Sequence, residues 1–144
     1  MQTFTEKFLT PQKEALTIDR VNNKRQEPEE FIQFHVHTSA INLNEYLFYD
    51  NTYESDHELS NAQRHMYRFP KSNLALSEGD VIRVYTQEPT PATRKGAHVH
   101  DKGLNVHYYN FYWGLKHDIW NNDGDKATLL HVRVADIKPV SAQS

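Results

Sequence analysis

Trp113-Gly-Leu-Lys-His-Asp-Ile-Trp-Asn-Asn-Asp-Gly-Asp-Lys-Ala-Thr-Leu-Leu-His131 is the stretch that decides the fold class. Two runs of β character, residues 115–120 and 126–134, flank Asn121-Asn122-Asp123-Gly124-Asp125. Asn, Asp and Gly tolerate positive φ, and Asp-Gly between apolar runs is a strong short-range hairpin signal. A hairpin is therefore expected here, with Asp123 and Gly124 at its turn and Trp120 buried at its base.

Working outward, the preceding segments read the same way. Ala15-Leu-Thr-Ile-Asp-Arg-Val21 alternates apolar and polar residues, as a half-buried strand does. Residues 29–37, Glu-Glu-Phe-Ile-Gln-Phe-His-Val-His, give a second strand after the polar turn that ends at Pro28. Residues 64–70 form a strand ending at Pro70, which cannot donate to a ladder, and Gly79 is the tight point of the next turn. Val81-Ile-Arg-Val-Tyr-Thr86 is the clearest strand, rich in β-branched and aromatic side chains. Residues 87–103 hold two prolines, two glycines and no sustained period, and are expected to be a long surface loop. The aromatic run 106–113 is the next strand. Leu129 and Leu130 suit opposite faces of the last strand, which a β-bulge or burial on both sides would reconcile. No helical period competes, and many short strands separated by turn signals indicate an all-β sandwich or barrel.

Several of these segments together resemble the lamin tail domain. Trp120-Asn-Asn-Asp-Gly-Asp-Lys-Ala-Thr-Leu129 is similar to its closing hairpin, and Tyr67-x-Phe69-Pro70, Leu76, Gly79 and Ile82-x-Val84 match its central motif in spacing. Leu43, Leu47 and Asp50 match a third motif, in which Asn44, Glu45 and Tyr46 replace the usual Ser-Gly-Trp. The resemblance covers roughly residues 15–135, with an arm at 1–14 and a tail at 136–144. It implies an immunoglobulin-like β-sandwich of about eight or nine strands, used as a non-catalytic binding or tethering module with a protein partner.

Composition narrows the function classes. The 144 residues carry 16 basic and 19 acidic side chains, so the strongly basic footprint of a dedicated nucleic-acid binder is missing and nucleic acid is not expected as a partner. With no cysteine, disulfides, thiol catalysis and thiolate zinc sites are excluded. No run approaches the length of a membrane span or a signal peptide, so a soluble chain without membrane insertion is expected. Compartment and oligomeric state are not legible.

Nine histidines raise the question of a metal. His98, His100 and Asp101 fall in the long loop and His107 on the strand after it; these four are the candidate binding residues. Imidazoles with a carboxylate suit zinc, nickel or copper, which makes a metal-binding protein or metal-dependent enzyme the alternative function. The spacing fits no defined zinc signature, so no cofactor is assigned. His35 and His37 share a strand face and carry the same question. Residues 118–125 fail the EF-hand pattern, and the serines lack a nucleophile elbow, so no catalytic residue is assigned and an enzyme is not expected.

Overall fold

The computed structural model describes residues 14–23, 29–50, 65–120 and 125–142. Among these the chain is nearly all β, with eight strands in two sheets. The strands are β1 (Leu16–Asn22), β2 (Phe31–Val36), β3 (Tyr46–Tyr49), β4 (Met66–Arg68), β5 (Val81–Gln87), β6 (His98–Asp101), β7 (Val106–Leu115) and β8 (Thr128–His131). A 3₁₀ turn, Leu43–Glu45, leads into β3. The all-β class and the strand number agree with the sequence reading.

The described residues fall into two compact units. The first takes the described residues within Met1–Ile41 and Leu74–Asp118, and the second those within Asn42–Asn73 and Ile119–Ser144.

The first unit holds the five-stranded sheet, ordered β1-β2-β5-β7-β6. Strand alternation gives it two distinct faces. Leu16, Ile32, Phe34, Val36, Ile82 and Val84 form one buried apolar face. Phe31, Gln33, Arg83, Tyr85, Asn110 and Tyr112 alternate with or pair beside them, so the second face is aromatic and polar. Neighbouring strands are antiparallel except β5 and β7, which are parallel. A parallel pair cannot be joined by a tight turn, because the chain must cross back before it pairs. Residues 88–105 make that crossing, travelling past β7 to lay down β6 outside it before turning into β7. The long loop expected at 87–103 is thus a crossover that contains a strand, and His98 and His100 lie on that strand.

Two register shifts matter for the site. One falls between Ile18 and Arg20, leaving Asp19 without a partner in the ladder; the other falls between Tyr85 and Gln87. Such bulges re-aim side chains. At the second, Thr86 is buried and its hydroxyl donates to Glu30 Oε1 at 2.7 Å.

The second unit holds the three-stranded sheet, ordered β4-β3-β8. Tyr46, Phe48, Phe69 and Trp120 are buried within it, and the Phe48 ring meets those of Phe69 and Trp120 at 6.1 and 6.3 Å. Pro70 follows the end of β4 and Gly79 sits in a turn at φ +93°, as expected from their chemistry. Asp123 and Gly124 lie outside the described residues.

Three sequence expectations are corrected. The run 115–120 continues as a strand only to Leu115, after Gly114 takes φ +84°. The runs on either side of 121–125 do not pair with each other: β7 lies between β5 and β6, whereas β8 pairs with β3. The last strand needs no bulge. It pairs in unbroken register from Tyr46↔His131 to Tyr49↔Thr128 and ends before Val132, so Leu129 stands opposite Phe48 while Leu130 is exposed.

Candidate functional site

The β6–β7 hairpin is built by a four-residue turn, with Asp101 opposite Val106 and His100 opposite His107. Asn105 takes φ +51°, a conformation that Asn adopts more readily than other side chains, and Asp101 Oδ1 accepts the Leu104 N–H at 3.1 Å. The turn thereby fixes which side chains share a face.

His98, His100, His107 and Tyr109 share one. His98 is stacked on Tyr109 at 4.7 Å with planes 7° apart, and His100 on His107 at 4.0 Å and 2°. His98 Nε2 and His107 Nδ1 meet at 2.7 Å, and His100 Nε2 reaches Asn105 Oδ1 at 3.1 Å. Burial and the Asp80 charge raise the Tyr109 phenol above its usual range. The structure therefore gathers three of the four candidate residues. Asp101 is separated from them by strand alternation and lines the opposite face with Val99 and Tyr108. Flat stacking sets the imidazole nitrogens side by side and not around a point. Among the described residues, no group of three or more His, Asp or Glu has the arrangement of a metal centre.

The other histidine pair is taken up locally. His35 Nε2 lies 3.1 Å from Asp19, and His37 Nε2 lies 2.7 Å from the Thr17 hydroxyl. A cleft lined by Glu29, Glu30, Glu88 and Asp118 is strongly acidic, yet Glu30 and Asp118 already accept bonds from Thr86 and Gln87.

On the aromatic face lies an arrangement that sequence reasoning missed. The unpaired bulge residue Asp19 accepts from Gln33 Nε2 at 2.6 Å, and Gln33 Oε1 accepts from Arg83 Nε at 2.7 Å. The Arg83 guanidinium lies over the rings of Phe31 and Tyr108, at 4.5 and 4.8 Å from their centroids. Cation–π contact on two rings plus a bonded Nε holds this group in one orientation. The crossover runs over the same face. Tyr112 Oη accepts the Lys95 N–H at 2.9 Å and donates to its carbonyl at 3.2 Å, and Asn110 Nδ2 donates to the Gly96 carbonyl at 2.8 Å.

Between crossover and sheet is a cavity of about 310 Å³, lined by Arg83, Tyr85, Lys95, Asp101 and Asn110 together with Val99 and Tyr108. Two buried polar atoms among these residues, Tyr85 Oη and Asn110 Oδ1, have no hydrogen-bond partner. Burial raises the Tyr85 pKa; Arg83 partly offsets this without reaching hydrogen-bond geometry. A faint signal was present in the sequence: Arg83 interrupts a strand of β-branched and aromatic residues, where a charge needs a reason.

Compared with protein families, curated proteins and solved structures, the chain matches none. What the residues themselves define is an all-β chain with a five-stranded and a three-stranded sheet and no helix, among the described residues, long and apolar enough to cross a membrane.

Proposed function

We propose that the chain is a non-catalytic binding module, akin to a lamin tail domain, that engages a protein partner through the β6–β7 hairpin. The observation that carries this reading is the position of β6. It is one of the two edge strands of its sheet, and it and the following turn expose Val99 (42 %) and Leu104 (69 %). An edge strand presents backbone donors and acceptors to an incoming chain, and exposed apolar side chains beside that edge supply burial on contact. The imidazole stack adds flat, polarizable surface on the adjoining face. The test is a pull-down from host extract with the native protein and with a Val99→Ser/Leu104→Ser variant, whose melting midpoint should be unchanged. Loss of the captured partner supports the reading; retention of every partner by the variant refutes it.

A second reading, metal binding, is favoured by the 2.7 Å approach of His98 Nε2 to His107 Nδ1. Two imidazoles whose ring nitrogens approach this closely can open slightly to hold a zinc or nickel ion, with solvent completing its coordination. Titration of untagged protein with zinc, alongside His107→Gln, separates the readings: binding abolished by the substitution favours metal, and no binding by the native protein removes it.

A further inference from the structure

We infer that the cavity between the crossover and the aromatic face of the five-stranded sheet is a binding site for a small polyhydroxylated carboxylate, of the size of one uronic-acid ring. The site shares Val99 and Asp101 of β6 with the hairpin, but its ligand is different and it does not require the protein-binding reading.

Four features of the cavity specify the ligand. First, Arg83 is held by the Asp19–Gln33 relay and by two aromatic rings, so its orientation is set before anything binds. Its Nε is used by Gln33, which leaves the forked terminal N–H groups to meet a carboxylate. Second, Lys95 lines the same cavity, and its backbone N–H and carbonyl both bond to Tyr112 Oη, so the main chain beneath the ammonium is anchored. Two cations against the single carboxylate of Asp101 leave the lining net positive and favour an anion.

Third, Tyr85 is only 3 % exposed and its hydroxyl has no partner. A buried hydroxyl left unbonded costs free energy that a bound polar group recovers. Fourth, Asn110 is 9 % exposed; its Nδ2 is fixed on the Gly96 carbonyl, which leaves Oδ1 as a pure acceptor without a donor. Asp101 adds another acceptor, since its Oδ1 is engaged by the turn and its Oδ2 is not needed there. An anion alone would satisfy Arg83 and Lys95 and leave Asn110 and Asp101 facing nothing. A ligand with one carboxylate and several hydroxyl donors satisfies all of them. The cavity, about 310 Å³, is at the lower end of the range for small-molecule sites, which limits the ligand to about one sugar ring.

The experiment is isothermal titration of the full chain with D-glucuronate, D-galacturonate, trigalacturonate and D-glucose. At least one acid should bind, and glucose at least about tenfold more weakly, because it offers the hydroxyls without the charge. Tighter binding of trigalacturonate than of the single ring would identify the end of an acidic polysaccharide as the source; equal or weaker binding would identify the free acid. Both results support the site. Two variants tie binding to it. Tyr85→Phe removes a hydroxyl that has no partner in the protein, and Lys95→Met removes the ammonium while keeping the backbone bonds. Each should weaken the acid by about threefold or more without lowering the melting midpoint. No binding of any acid at about 10 mM overturns the proposal, as does glucose binding as tightly as the acids, or acid affinity unchanged in both variants.

Discussion

Tyr46 and His131 lie face to face at the end of the three-stranded sheet, ring centroids 4.4 Å apart and planes within 9°. They are ladder partners, and the backbone bond from Val132 N–H to the Glu45 carbonyl at 2.7 Å extends the pairing beyond them. The imidazole also places Nε2 at 2.9 Å from Glu45 Oε1. Stacked aromatic pairs contribute about 0.5–1.5 kcal/mol beyond area burial, so His131→Ala should cost about 1 kcal/mol in urea unfolding. His131→Phe, which keeps the stack and loses the Glu45 contact, should recover part of that. Equal midpoints for native protein and His131→Ala would show that the pair contributes nothing.

The same contact has a pH signature. The hydrogen bond from His131 lowers the Glu45 pKa below 4.5; slight desolvation opposes it, and Asn42 and the His131 charge lower it further. A folded pKa below the unfolded one means that the contribution is present above the unfolded value and is lost as pH falls through the folded value. Native protein should therefore lose more stability than Glu45→Gln between about pH 5 and pH 3. The carboxylate lies at the surface and is reached by solvent, so the difference should be small and should shrink in salt. Parallel curves for the two proteins would contradict it.

How much of this was legible depended on whether the signal was local. Alternation along residues 15–21 and the β-branched run 81–86 report burial directly, and both are strands. Gly79 and Pro70 act through their own backbone, so their roles could be read one residue at a time. The hairpin expected around residues 121–125 failed because turn chemistry says that a chain turns and not which strands then pair. The strand partners of β7 and β8 are set by contacts far away in sequence. The crossover was mistaken for a structureless loop for the same reason: a parallel β5–β7 pair leaves no periodic trace. At the site, three histidines were found because residue type alone flags them. Arg83, Tyr85 and Asn110 were missed because their meaning comes from register, which brings Arg83 beside both Gln33 and Asn110.

Trp120 is 6 % exposed, whereas Trp113 is only partly buried, so the two indoles are unequal as their sequence positions suggested. Trp120 packs at 6.3 Å from Phe48, a fully buried ring. Truncating a buried aromatic to Ala costs about 3–5 kcal/mol, a large part of the stability of a domain this size. Trp120→Ala should melt far below the native protein or fail to fold, and Trp113→Ala should be milder. A Trp120→Ala protein with a near-native melting midpoint would contradict the packing.

Gly79 isolates a backbone effect from a packing effect. Its φ is +93°, and a Cβ added there would meet nothing within 4 Å. The turn is held by Gly79 N–H to the Val36 carbonyl at 2.9 Å and by Ser77 N–H to Asp80 Oδ2 at 2.8 Å. Gly79→Ala should therefore cost about 1–2 kcal/mol from left-handed strain alone, and Gly79→Asn less, since Asn tolerates that region. If Ala and Asn proved equally harmless in thermal melts, the turn would have to relax to negative φ.

Tyr67 supplies the alkaline counterpart of the Glu45 prediction. Its ring lies 5.4 Å from those of Phe48 and Phe69, meeting the latter nearly at right angles. Burial among these groups raises the phenol pKa well above the usual value of 10. With the folded pKa above the unfolded one, the unfolded chain releases its proton first as pH rises. Stability is thus intact below about pH 10 and falls above it, because ionisation favours the unfolded state. Tyr85 and Tyr109 are shifted in the same direction and add to the slope. Urea midpoints measured from about pH 8 to pH 11 should decline in the native protein and decline less steeply in Tyr67→Phe, which has no proton to lose there. Identical slopes in the two proteins would mean that Tyr67 ionises freely in the folded state, and the packing of its ring between Phe48 and Phe69 would have to be abandoned.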